Sequence, residues 1–201
     1  MEILVLILFF GGLIGGLVLL IRYVKRTAQK KVEWYKTWGL KLNLEHSMKK
    51  YLLAKLNTLA GELDGQPVII YEKIVGSGKH QQLYTNITFQ PNPFDFEFRI
   101  AKEGFFSKAT KAFGAKDIEF GDDVFDKTFL LKSEDESKFR SLMDFRAQGA
   151  LQAVEKNIAG SIMSTKTDFT YSYLGGFTKE AKVAELELIL DFMRLLIKNK
   201  R

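Results

Sequence analysis

Five carboxylates crowd into ten residues of this chain: Asp117, Glu119, Asp122, Asp123 and Asp126. Oxygen ligands at that density can hold a divalent cation, and two carboxylates in unlike surroundings can divide acid and base duties. Neither chemistry has the pattern it needs. The calcium-loop spacing D-x-[DN]-x-[DN]-G is absent, and nothing in the stretch separates the environments of Asp122, Asp123 and Asp126. A structural use fits better. Gly121-Asp122 makes a turn, Asp122 or Asp123 caps one helical turn through backbone N–H groups, and Asp126 either caps amides or pairs with a lysine. Phe125 and Phe129 then point into the core. A ligand or partner contact is the alternative, so Asp122, Asp123 and Asp126 stand as a candidate interaction turn.

The other chemistry-bearing residues are sparse. Gly76-Ser77-Gly78-Lys79 invites a phosphate-loop reading, but that loop needs a glycine five positions before Gly78, where Lys73 stands, and a Ser or Thr after Lys79, where His80 stands. A hairpin loop is expected instead. His46 and His80 are the only histidines, without a metal-ligand spacing or a G-x-S-x-G elbow beside them. There is no Cys, which removes disulfides, thiolate zinc sites, iron–sulfur clusters and thiol catalysis. No catalytic, cofactor-binding or metal-ligating residue is expected, and no cofactor. The chain reads as a non-enzyme.

The element with the strongest signal is at the start. Ile3 to Ile21 is an unbroken apolar run of 19 residues, about 28 Å as a helix against the roughly 30 Å hydrocarbon core of a bilayer. Met1-Glu2 is no basic n-region and no small-residue cleavage site follows, so a retained anchor is expected rather than a signal peptide. Arg22, Lys25, Arg26, Lys30 and Lys31 close the run. Positive flanks stay on the cytoplasmic side, so the N-terminus is expected outside and the remainder in the cytoplasm, at a cell membrane of bacterial inner-membrane type. Within the run, Gly11/Gly15 and Gly12/Gly16 form two overlapping G-x-x-x-G pairs that would let a second helix approach closely. The expected division is an anchor over 1–22, a basic juxtamembrane segment over 23–38 and one domain over 39–201.

The net charge of +6 tempts a nucleic-acid reading until it is mapped. Residues 1–36 carry +4, Lys198, Lys200 and Arg201 carry +3, and residues 37–197 carry −1. The folded body is nearly neutral, without the basic face that nucleic acid requires, so no nucleic-acid partner is expected. The basic flank would attract anionic lipid.

Periodicity sketches the domain. Trp34, Tyr35 and Trp38 follow the flank, with Trp38 assigned to the core, and Gly39 is read as the end of the helix. Leu40, Leu42 and Leu44 alternate as a strand would, and Met48, Tyr51, Leu52, Leu56 and Leu59 suggest a short helix over 47–57. Asp64-Gly65 marks a hairpin between Leu59–Leu63 and Val68–Ile74. Tyr84–Phe89 reads as a strand, Pro91 and Pro93 mark a turn, and Phe94 to Ile100 alternates as a half-buried strand. A short helix is expected over Phe105–Phe113, then strands at Ile118–Phe120 and Thr128–Leu131. Ser133 to Glu136 reads as a capping box opening a long helix to about Asn157, bent near Gly149. Ile158–Ser164 and Asp168–Tyr173 suggest strands, Gly175-Gly176 a break, and Lys179–Lys198 a last helix with a wide apolar stripe. Strands and helices are segregated, which predicts an α+β domain with antiparallel sheet and packed helices.

The run Gly121-Asp122-x-x-Phe125-Asp126-x-x-Phe129, followed by Leu131-x-Ser133-x-Asp135-Glu136 and a helix, resembles a motif of membrane-anchored bacterial proteins of unknown function. The likeness covers about residues 39–201. It implies an anchored cytoplasmic α+β domain and carries no catalytic role. The expected function is a membrane-tethered binding or scaffold module, whose partners are the bilayer and another membrane protein, or a second copy, met through the anchor helix. An anionic-lipid-surface module is the alternative. A carboxylate- or metal-dependent enzyme at the acidic turn is a remoter one.

Overall fold

The computed structural model describes residues 2–51, 54–103, 117–176 and 180–200; of residues 2–10, 54 and 180 it describes the backbone alone. One helix, α1 (Glu2–Leu42), leads into the domain. The strands are β1 (Glu45–Tyr51), β2 (Ala54–Leu63), β3 (Gln66–Val75), β4 (Gln82–Phe89) and β5 (Phe98–Lys102). Short helix α2 (Asp123–Thr128), strand β6 (Phe129–Ser133) and helices α3 (Glu136–Leu142) and α4 (Phe145–Ala153) follow. Strands β7 (Gly160–Ser164) and β8 (Phe169–Leu174) and helix α5 (Glu180–Asn199) complete the order. The strands form one eight-stranded sheet, β1-β2-β3-β4-β8-β7-β5-β6, in which every neighbouring pair is antiparallel. The fold is α+β.

The core is built on one rib that crosses the sheet. Successive registers align Leu59, Ile70, Ile87, Tyr171, Ile162, Ile100 and Leu131, all buried. Because side chains alternate across a strand, this row shares one face. Helical residues join it in a single hydrophobic cluster: Tyr35 and Trp38 of α1, Phe139 of α3, Leu151 of α4, and Ile189 and Met193 of α5. The aromatic quartet Phe94, Phe98, Phe139 and Phe169 meets at centroid distances of 5.0–5.8 Å, offset or edge-on as ring quadrupoles prefer.

Helix α1 is where the sequence reading changes most. It does not stop at Gly39 but runs on to Leu42, so Leu40 and Leu42 lie in its last turn and Leu40 is exposed. Gly39 serves a close approach instead: a Cβ there would lie 2.9 Å from the Leu44 carbonyl oxygen and from Leu59 Cδ2. The helix stops at Asn43, left-handed at φ 56°, with Leu44 N–H donating to the Gly39 carbonyl and Asn43 N–H to the Leu40 carbonyl in a Schellman cap.

Among the described residues no helix is long and apolar enough to cross a membrane. The side chains of residues 3–10, the first part of the apolar run, lie outside that description. From Leu13 to Ile21 the described large apolar side chains of α1 are exposed all round the helix.

Other expectations are corrected by pairing. Residues 47–51 and 54–57 pair as antiparallel strands of β1 and β2 rather than forming a helix, because β2 continues through Leu59 into the centre of the sheet and takes its neighbours with it. Residues 52–53 lie outside the described residues. Strand β5 begins only at Phe98; Phe94 and Phe96 precede it in irregular chain and stay in the core through their rings. It is buried on both faces, Arg99 and Ala101 included, rather than half-buried. Ile118–Phe120 is no strand; Asp117 makes a single bridge to Lys132, and Ile118 N–H donates to the Leu131 carbonyl.

The capping box is replaced by Asp135, whose carboxylate accepts from Lys138 N–H, while Ser133 Oγ bonds the Glu97 carbonyl. The long helix breaks at Asp144, which caps α4 by accepting from Ala147 N–H, and not at Gly149. The expected helix over Phe105–Phe113 lies outside the described residues. The Asp64-Gly65 hairpin, β4, β7, β8 and α5 fall within about two residues of their expected positions. The turn has Asp64 at φ 52° and Gly65 at φ 75°, the left-handed pair that a two-residue hairpin of the right twist requires.

Candidate functional site

Three places concentrate polar groups. In the acidic turn, Asp122 caps α2 by accepting from Val124 N–H and Phe125 N–H at 2.9 and 3.0 Å. Asp126 reaches back and accepts from Phe120 N–H and Gly121 N–H, both at 2.8 Å. Asp123 lies 3.5 Å from Lys127 in an exposed pair, and Asp117 lies 3.0 Å from Lys132. Phe125 and Phe129 are buried beneath this turn with rings 5.1 Å apart. Two backbone amides engage each capping carboxylate, both on Oδ1 of Asp122 and one on each oxygen of Asp126, about half of its acceptor sites. Among the described residues no group of three or more His, Asp or Glu side chains is arranged to hold a metal ion.

The second place is the junction of α1 with the sheet. The β2–β3 ladder runs only as far as Thr58↔Tyr71, and beyond it β2 pairs with β1 alone. The Glu72 carboxylate closes the opening: Oε2 accepts from Asn57 N–H at 3.1 Å and from Asn57 Nδ2 at 3.3 Å. Its other oxygen lies 2.6 Å from Lys31 Nζ on α1, with the Glu72 side chain fully buried and that of Lys31 19% exposed. His46 Nε2 meets Asn57 Oδ1 at 3.1 Å. Tyr35 lies in the same pocket, where burial and then the Glu72 charge push its phenol well above the ordinary value. The flank residue Lys31 is thus part of the domain, while Arg22, Lys25, Arg26 and Lys30 are exposed along α1. Of Gly11, Gly12, Gly15 and Gly16, none would bring a Cβ within 4 Å of another group.

The third place was not anticipated. On the sheet face opposite the apolar rib, the registers align Thr58, Tyr71, Asn86 and Ser172 across four strands. They floor a groove of about 570 Å³, in the usual size range of small-molecule sites. Asn86 is 1% exposed, and its Nδ2 has no hydrogen-bond partner among the described residues. Beside it, Thr170 Oγ1 lies 3.0 Å from Thr88 Oγ1 and 3.1 Å from the Asp168 carboxylate, so that carboxylate is engaged. Lys49 and Lys73 stand on the rim, exposed and without an ion-pair partner among the described residues. The signal that could have found this face is the strand period itself: Thr58, Asn86, Thr88, Thr170 and Ser172 are polar positions out of phase with the apolar ones.

No family model matches the chain, nor does any curated protein or solved structure. The reading of this protein therefore rests on its own residues.

Proposed function

We propose that this protein is a single-pass, membrane-tethered, non-enzymatic binding module, with residues 1–22 as the anchor, the N-terminus outside and the domain in the cytoplasm. The observation that carries the reading is the bare apolar surface of α1: Leu13, Ile14, Leu17, Leu19 and Leu20 are each more than half exposed, on all sides of one helix. A helix apolar all round is a buried element, in a protein core or in lipid, and no other part of the described chain covers it. The basic flank Arg22, Lys25, Arg26 and Lys30 then lies at the cytoplasmic headgroups. Gly11, Gly12, Gly15 and Gly16 supply the face on which a partner helix, or a second copy, packs.

The non-enzymatic part of the proposal draws on the acidic turn, where Asp122 and Asp126 are occupied by backbone amides and Asp117 and Asp123 by lysines. Single-cysteine labelling tests the topology cleanly, since the native chain has no Cys. A cysteine at Ser141 in intact cells is expected to resist a membrane-impermeant maleimide, and the protein is expected to stay with the membrane at alkaline pH. Labelling of Ser141→Cys without lysis overturns the orientation, and release at alkaline pH overturns the anchor. Mild-detergent purification should recover a second membrane chain or a dimer, and Gly12→Ile should reduce that yield while leaving domain stability unchanged.

A further inference from the structure

The groove on the open face of the sheet has the groups of an anion site. Asn86 Nδ2 is a buried donor with nothing to donate to among the described residues, which native proteins seldom tolerate without a use. The hydroxyls of Thr58 and Ser172 flank it in the same row. Lys49 and Lys73 add two cations at the rim, unpaired among the described residues. Of the two described acidic residues that line the groove, Glu72 has its carboxylate held by Lys31 and Asn57 on the opposite face, and Asp168 lies at the other end of β4 from Lys73, hydrogen-bonded by Thr170.

We infer that this groove binds a small soluble phosphate monoester, its phosphate held by Lys49, Lys73 and the Asn86 amide and its organic part lying on Tyr71. A phosphate monoester brings nearly two negative charges and three acceptor oxygens, matching two point-charge ammonium groups and several convergent donors. A carboxylate is better matched by the planar fork of an arginine, and no arginine is among the described residues that line the groove. The choice of a soluble source rests on the tethered reading above. Lys31 is ten residues beyond Ile21, so the Glu72–Lys73 level stands about 15 Å past the apolar run. The headgroup layer is only about 5–8 Å deep.

The test uses the full chain in a neutral maltoside detergent, titrated calorimetrically with phenyl phosphate, with phenol and inorganic phosphate as separate controls. Phenyl phosphate is expected to bind with a Kd below about 1 mM, and Lys49→Met/Lys73→Met to weaken it at least about tenfold. Asn86→Leu keeps the shape and removes the donor. It is expected to weaken binding about tenfold and to raise the Tm of the free protein by roughly 2–4 °C, because an unpartnered buried amide is removed. A purely structural asparagine would instead lose stability and leave binding alone, and that result overturns the inference. So does undiminished affinity in the double lysine variant, or equal affinity for phenol. Binding to phosphatidic acid vesicles with phenyl phosphate inert overturns the soluble ligand. None of these outcomes bears on membrane retention, so failure here and failure of the tethered reading remain separate.

Discussion

Replacing Lys31 by Met removes a charge while keeping most of the stem that packs along the sheet. What remains is the Glu72 carboxylate, fully buried, with two hydrogen bonds from Asn57 and one from the Tyr35 phenol but no counter-charge at 2.6 Å. Breaking a buried ion pair by deleting one partner costs about 3–5 kcal/mol, chiefly for the charge left behind. Lys31 is 19% exposed, so water reaches the rim of the site and the lower end, about 3 kcal/mol, applies. For a chain of this size that lowers Tm by about 6–12 °C. Glu72→Gln should cost less, because Lys31 can turn toward water and the new amide oxygen still accepts from Asn57 N–H. The double variant Lys31→Met/Glu72→Gln should recover most of the loss, since no buried charge remains. The assay is thermal unfolding of the full chain in neutral detergent, with the two single variants and the double closing a cycle. A loss under about 1 kcal/mol for Lys31→Met, or a double variant as unstable as Lys31→Met, would refute the account of this junction as a desolvated pair.

Two further outcomes follow from the turns. Asp122→Ala and Asp126→Ala should each lower stability by about 1–2 kcal/mol, since each strands two backbone N–H groups, whereas Asp123→Ala should stay within about 0.5 kcal/mol. Urea midpoints with and without Mg²⁺ or Ca²⁺ check this, and a midpoint that rises with either ion would speak for a metal site instead. At the β2–β3 turn, the Arg194 guanidinium hydrogen-bonds Asp64 at 2.7 and 3.0 Å and holds its carboxyl below the ordinary 3.8. Its contribution is therefore complete above about pH 4 and is lost as pH falls through the lowered value. Asp64 is 35% exposed, so Asp64→Asn should cost only about 0.5 kcal/mol at pH 7, and the difference from wild type should close on acidification in urea titrations. A difference that persists at low pH would trace the effect to the backbone.

Local signals were legible where the chain settles its own conformation. Asp64-Gly65 must be a tight hairpin because both residues adopt positive φ, and the apolar stripe of α5 follows from helical spacing alone. The failures arise where partners distant in sequence decide. Met48, Tyr51, Leu56 and Leu59 have helical spacing, yet the β1–β2 register and the pairing of Leu59 with β3 make them two strands, and Met48 and Tyr51 are exposed. Gly39 looks like a helix stop until Leu44 and Leu59 are seen against it. Of the polar sites, the Asp122 and Asp126 caps were readable because they serve amides within six residues. The Lys31–Glu72 pair joins residues 41 positions apart, and no local pattern announces it. The groove was hidden for a related reason. A buried, unpartnered Asn86 is visible only once β3 and β8 are known to flank β4.

On the tethered reading proposed above, the geometry of α1 bears on how the domain would work. A flexible linker lets a domain sample a wide volume about its anchor. Here the segment from Arg22 to Lys30 contains neither Gly nor Pro and is helical throughout, so the usual causes of a kink are missing. Its far end is fixed at successive levels: Lys31 on Glu72, Tyr35 and Trp38 in the core, and Lys41 on Glu187 at 2.8 Å. A rotation or tilt imposed on residues 3–21 is therefore carried into the sheet rather than absorbed in between. The Lys31 contact enters through Glu72, and the next residue along β3, Lys73, is on the rim of the groove. One strand thus carries the helix contact on one face and a groove cation on the other. On the tethered reading and the groove ligand proposed above, a partner that turns the helix and a ligand that fills the groove would meet on the same short stretch of β3, and any coupling between them would be reciprocal.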